Sequence, residues 1–123
     1  MKRKFRLTRS TEIKRVRRYG KSYAHPLVVL ITLPNQDLAV RVGVMATRSV
    51  GNAVNRNRAK RRIRAGVEPA FQAIKPGWDL IFLARKSILR ADFGEMQAAI
   101  LSLIKGASLL VEAGNGCQQQ LPE

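Results

Sequence analysis

Thr47-Arg48-Ser49-Val50-Gly51-Asn52-Ala53-Val54-Asn55-Arg56-Asn57-Arg58-Ala59-Lys60-Arg61-Arg62-Ile63-Arg64 passes from a loop into a helix that the pattern extends from about Asn52 to Ile74. At about 100° per residue, Ala59, Ile63, Val67 and Ala70 gather in one apolar stripe that must dock on a body. Arg56, Asn57, Arg58, Lys60, Arg61, Arg62 and Arg64 fill the remaining arc. Exposed helices normally interleave acids with bases, and no acid occurs between Asp37 and Glu68, so this repulsion is uncompensated within the helix. An external anion would relieve it. Arginine outnumbers lysine five to one between Arg56 and Arg64, and its planar fork suits bidentate phosphate contacts. Asn52, preceded by Gly51, places a helix N-terminus beside the same cations, which is itself a weak phosphate site.

Toward the N-terminus, Leu38 to Thr47 reads as a strand, with Gly43 marking either a bulge or a close backbone approach. Leu27 to Leu33 is a nearly continuous apolar run between Pro26 and the turn Pro34-Asn35-Gln36-Asp37. It reads as a buried strand whose hairpin partner is Leu38 to Thr47. A first helix starts near Thr8 or Ser10, either of which can cap it, and stops at Gly20 in the left-handed conformation. Toward the C-terminus, Lys75-Pro76-Gly77 breaks the chain and Trp78 to Ala84 forms another strand. From Asp92 to about Lys105, helical spacing returns, with Phe93, Met96, Ile100, Leu103 and Ile104 on or near one face. The residues alone therefore give the order α-β-β-α-β-α, helices covering a sheet.

The chain has 123 residues, 46% of them hydrophobic, and carries 23 Lys and Arg against 8 Asp and Glu, a formal net charge of +15. One domain can close a core at this length. The charge requires a polyanion. Ten of the cations lie within Met1 to Lys21 and eight within Arg41 to Arg64. Nucleic acid fits this placement better than a membrane surface, because the basic stretches lack the large apolar groups an interfacial helix needs. No stretch reaches the roughly 20 apolar residues of a membrane span, and no apolar core follows the basic start as in a signal peptide. With Cys117 as the single cysteine, a cytoplasmic location is expected.

Chemistry is harder to find. Glu12, Asp37, Glu68, Asp79, Asp92, Glu95, Glu112 and Glu123 show no metal-ligand spacing, and Asp92 with Glu95 reads as charge at a helix N-terminus. The lone His25, next to Pro26, reads as a loop residue. Such an inventory binds nucleic acid without cutting it. A structural RNA-binding protein of ribosomal or assembly type, and a DNA-binding module, share the basic composition.

Gly51-Asn52-Ala53-Val54 followed by Arg56-Asn57-Arg58, Lys60-Arg61 and Arg64 is similar to the signature of the protein component of bacterial ribonuclease P. Val16 and Gly20, Arg41-Val42-Gly43, and Asp79 to Arg85 add matches, and together they span about Leu7 to Lys105. The resemblance implies an α+β fold, a single-domain α/β sandwich of order α-β-β-β-α-β-α with an unusual left-handed βαβ crossover. That order holds one strand more than the pattern, and the extra strand is expected within Leu38 to Val50. It implies a domain at 1–111 and a disordered tail at 112–123.

For function, the resemblance implies an accessory subunit that binds the catalytic RNA and the 5′ leader of precursor tRNA and assists removal of that leader. The protein alone holds no cofactor. Catalysis and the required Mg²⁺ belong to the RNA subunit, and neither a membrane nor a small-molecule substrate is a partner. Arg48, Gly51, Asn52, Arg56, Asn57, Arg58, Lys60, Arg61, Arg62 and Arg64 face RNA in this reading, and Ile13, Lys14, Arg17 and Ile31 face the leader. Three departures stand out. Ile13, Arg17 and Ile31 occupy positions where the family commonly has aromatics, so Arg17 would stack through its guanidinium. Thr47-Arg48-Ser49 replaces a frequent Ser-Lys-Lys, and Ala65 replaces a frequent acid or amide.

Overall fold

Two strands without a polar face occupy the middle of the sheet. The computed structural model describes residues 5–111. In order, its elements are α1 (Ser10–Tyr19), β1 (Lys21–Ala24), β2 (Val28–Pro34), β3 (Val40–Ala46), α2 (Ala53–Val67), β4 (Trp78–Ala84) and α3 (Phe93–Gly106). The sheet order is β1-β2-β4-β3, antiparallel except for the parallel pair β3 and β4. Val28, Leu30, Leu80 and Phe82 face one side and Ile31 and Ile81 the other, all of them buried. Strands that are apolar on both faces gain most from central positions with helices on each side.

The two faces carry unequal layers. Against the first, α2 and α3 pack Ala59, Ile63, Val67, Met96, Ile100, Leu103 and Ile104 onto Val28, Leu30, Val42, Leu80 and Phe82. Against the second lies α1 as the single helix among the described residues, with its Val16, and Leu7 from the segment before it, on Ile31 and Ile81. This is the α/β sandwich expected of the family, with α2 as the crossover between parallel neighbours β3 and β4.

The expected hairpin of the second and third strands does not form: β4 lies between them. Asp79 on β4 is fully buried and sits in register with Arg41 on β3, so a β2–β3 pairing would separate that carboxylate from its cation. The connection 35–39 straddles the start of β4, with Asn35 N–H donating to Gly77 O at 2.8 Å and Gly77 N–H to Ala39 O at 3.0 Å. The additional strand lies at Lys21–Ala24 rather than within Leu38 to Val50, where a short 3-10 turn, Arg48–Val50, follows β3. In this strand Lys21, Ser22 and Ala24 are exposed and only Tyr23 is half-buried. Its backbone pairing to β2 defines it, not an apolar alternation.

Local punctuation differs from expectation in four places, while at Gly43 the close backbone approach is the alternative that holds. The N-cap of α1 is Arg9, without a side-chain bond, and Ser10 is already helical. Gly20 is extended, at φ −75° and ψ 163°, so it is not a left-handed stop. Glycine is needed there for space, since a Cβ would fall 2.4 Å from Val16 O and 2.8 Å from Ile31 Cγ2. Gly43 continues the β3–β4 register without a bulge and lies under Leu7, whose carbonyl would be 3.0 Å from a Cβ. The second long helix ends at Val67, not Ile74, because Pro69 removes the N–H that would bond to Ala65; the chain continues as a 3-10 helix, Glu68–Ala73. Phe93, expected on the apolar face of α3, is 43% exposed. The α3 N-terminus is closed by a capping box in which Glu95 N–H donates to Asp92 Oδ1 at 2.8 Å. For Gly20→Ala we expect a loss of about 1–3 kcal/mol from overpacking; a urea midpoint equal to wild type would show that the backbone yields there.

Candidate nucleic-acid interface

On α2, the buried stripe is Ala59, Ile63, Gly66 and Val67. That seating turns Asn57, Arg58 and Arg61 fully outward and leaves Arg56 and Lys60 half-buried. Arg58 and Arg61 form no ion pair among the described residues. Ahead of the helix, Gly51 at φ 134° reverses the chain in a conformation reserved for glycine. Asn52 then caps α2 by accepting from Asn55 N–H at 3.0 Å, and Arg48 and Ser49 stand exposed in the preceding turn. Loop and helix therefore present one cationic surface.

Arg64 is placed differently. It is half-buried and lines a groove around the β3 edge with Arg6, Leu7, Thr8, Ile13, Val42 and Val44. Burial, and then the charge of Arg6, lower its pKa from the usual guanidinium value. Two cations sharing a partly dry groove favour an incoming anion. The same groove brings the C-terminal part of the α2 cations to Ile13 of α1, joining the two sets of residues singled out in the sequence.

Two of those residues are occupied otherwise. Arg62 turns its guanidinium into the fold, where Nη1 donates to Ile88 O at 3.2 Å and Leu89 O at 3.4 Å and Nη2 donates to Ala91 O. Helical spacing gives the direction of this side chain, but not the nearby carbonyls that capture it. Ile31, only 6% exposed, belongs to the core beneath α1 with Val16, Ile81 and Leu7, so it supports α1 from below. Ile13 is half-buried, and Lys14 and Arg17 are exposed on α1.

A second groove was not anticipated. Val29 and Leu83 form its floor, Thr47 and Ser49 one wall, and Arg85 and Lys86 the other. By strand alternation the floor lies on the face that α1 covers elsewhere. The signal was present in Arg85-Lys86, two cations directly after a strand, but sequence position alone does not show that β3 and β4 end side by side.

The acids hold structure. Asp79 Oδ1 accepts from Arg41 Nε at 2.9 Å and from Asn35 Nδ2 at 2.8 Å, and Asp79 Oδ2 accepts from Arg41 Nη2 at 3.0 Å. Arg41 Nη1 reaches Glu12 Oε2 on α1 at 2.7 Å, with Asp37 at 3.8 Å. This pairing, chiefly with Asp79, raises the Arg41 pKa. His25 Nδ1 accepts from Leu27 N–H at 3.1 Å, a local loop contact. Among the described residues no group of three or more His, Cys, Asp or Glu is placed to hold a metal ion, and no helix is long and apolar enough to cross a membrane. Cys117 and the expected tail at 112–123 lie outside the described residues.

Comparison with known proteins matches this arrangement to one family. The family model described as Ribonuclease P matches residues 1–108. A ribonuclease P protein component from Herpetosiphon aurantiacus is 38% identical over 109 residues, covering 89% of each chain. Another, from a Roseiflexus species, is 34% identical over 94% of this chain and 96% of its own. The solved ribonuclease P protein of Staphylococcus aureus superposes with a TM-score of 0.77 at 26% identity, over 86% of this chain and 97% of that one. The Thermotoga maritima protein gives 0.73 at 27% identity, over 82% and 96%. With sequence and fold in agreement over nearly the whole described chain, the protein belongs to the ribonuclease P protein component family.

Proposed function

We propose that this subunit binds the catalytic RNA through the 47–52 loop and the outer face of α2, and receives the 5′ leader of precursor tRNA along α1 and the grooves beside it. The observation that carries the proposal is the outward pair Arg58 and Arg61 on α2, held by a buried stripe and without an acidic partner among the described residues. Arg48, Arg56, Arg58, Lys60 and Arg61 neutralise backbone phosphates and release counterions. Arg64 with Arg6 receives a further phosphate in the groove that Ile13 lines, and Lys14 and Arg17 meet the leader from α1. Bond cleavage and Mg²⁺ belong to the RNA, in the cytoplasm. The protein contributes position and screening of charge, which lower the cost of bringing two polyanions together.

The deciding measurement is cleavage of precursor tRNA at low Mg²⁺ with protein alone, catalytic RNA alone and both. Cleavage only in the presence of the RNA, strengthened by the protein, is the expected result. Hydrolysis by the polypeptide alone, or no effect on the RNA, overturns the proposal. For the leader, Lys14→Ala with Arg17→Ala is expected to reduce discrimination between precursor and mature tRNA roughly twentyfold, what the loss of two charge-assisted contacts of about fivefold each gives. Unchanged discrimination removes these residues from the leader path.

A further inference from the structure

We propose that Arg62 is a positioning residue: from α2 it clamps the turn after β4 and thereby holds Arg85 and Lys86 against the second groove. The inference rests on the leader reading of that groove. The side chain is half-buried, and its fork donates to three backbone carbonyls, of Ile88, Leu89 and Ala91. These carbonyls lie at the end of the 3-10 helix Lys86–Leu89 and just before the α3 cap Asp92. Carbonyls at a helix C-terminus lack intrahelical donors and carry partial negative charge, so a planar cation with several N–H groups suits them. A lysine would supply the charge without the fork.

The clamp bears on the groove through a short piece of chain. Ile88, in the same turn, is fully buried, while Arg85 and Lys86, just before it, are exposed and line the groove. On its other flank Ser87 Oγ donates to Pro26 O at 2.6 Å. The turn is thus fixed at a few points: Ile88 packs in the core that Ala59 and Ile63 of α2 share, and Arg62 adds the hydrogen bonds that tie its backbone to the helix proposed to seat on the catalytic RNA. Through this link, α2 and the cations opposite the 47–49 wall keep a fixed spacing.

Arg62→Met and Arg62→Lys in the full chain, reconstituted with catalytic RNA, separate this role from direct phosphate contact. We expect both variants to lower amide protection across 86–92 and to weaken precursor tRNA affinity about fivefold relative to mature tRNA, a size typical of one charge-assisted contact. The salt slope for binding the catalytic RNA stays at the wild-type value. Combined with Arg85→Ala and Lys86→Ala, Arg62→Met adds little further loss. A wild-type Arg62→Lys beside an Arg62→Met whose salt slope falls by about one unit would make Arg62 a phosphate ligand and overturn the proposal. Reduced protection with unchanged precursor discrimination would leave the clamp purely structural and also overturn it. If the Arg85→Ala, Lys86→Ala variant binds precursor normally, the leader reading of the groove fails and the proposal falls with it; if that variant is impaired and Arg62→Met is not, the positioning role alone fails.

Discussion

Arg41→Ala is expected to destabilise the protein by about 3–5 kcal/mol, the range for removing one partner of a buried ion pair. Against a total stability of about 5–15 kcal/mol for a domain, that is enough to leave part of the population unfolded at ambient temperature. Asp79 has no exposure, and after the change the Asn35 amide is its one remaining side-chain partner among the described residues. Burying a carboxylate without its cation costs far more than the net value of the intact pair, which is why the deletion is severe even though the pair itself adds little. The loss is also topological: Arg41 joins β3 to β4 and, through Glu12, to α1. Arg41→Lys should recover only part of the stability, because one ammonium cannot hold both Asp79 oxygens and Glu12 in plane. The pKa of Arg41 is raised, so its stabilising charge is present throughout the ordinary pH range and is lost only in strong alkali. Urea melts of the three proteins check this, and a wild-type midpoint for Arg41→Ala would show that the cluster is dispensable.

The second large effect is on binding. Arg58→Ala together with Arg61→Ala should weaken association with the catalytic RNA by roughly ten- to a hundredfold at low salt. The slope of log affinity against log salt should fall by about 0.7–0.9 for each phosphate that is no longer neutralised. Stability should hardly change, since both side chains are exposed and the buried stripe of α2 is untouched. Filter binding across a salt series, with a thermal melt beside it, tests both halves. Unchanged affinity and slope would place the RNA elsewhere on the molecule. The separation matters because Arg62, one residue along, should show the reverse pattern: a local loss of order and no change of slope for the catalytic RNA.

Much of the fold was open to reading from local pattern. Val28–Pro34 and Trp78–Ala84 were legible as strands because apolar runs bounded by turn residues have few other solutions. The docked side of α2 was legible because Ala59, Ile63 and Val67 recur at helical spacing. β1 was missed because Lys21-Ser22-Tyr23-Ala24 is an exposed edge held by main-chain bonds, which leave little pattern in side-chain polarity. The inward turn of Arg62 was missed because a long flexible side chain follows the acceptors it can reach, and those come from residues 88–91, distant in sequence.

The chain's own letters determined the helical and central-strand segments, the excess of cations and the face of α2 that must be buried, because these follow from local periodicity and from charge counted along the backbone. Only the folded arrangement decided that β4 enters between β2 and β3, that Asp79 meets Arg41, and that Arg62 of the basic helix turns to the fold while Arg58 and Arg61 stay exposed. Those outcomes depend on which distant groups meet in the interior, where a buried carboxylate or an open carbonyl must find a partner, and no local pattern encodes that meeting.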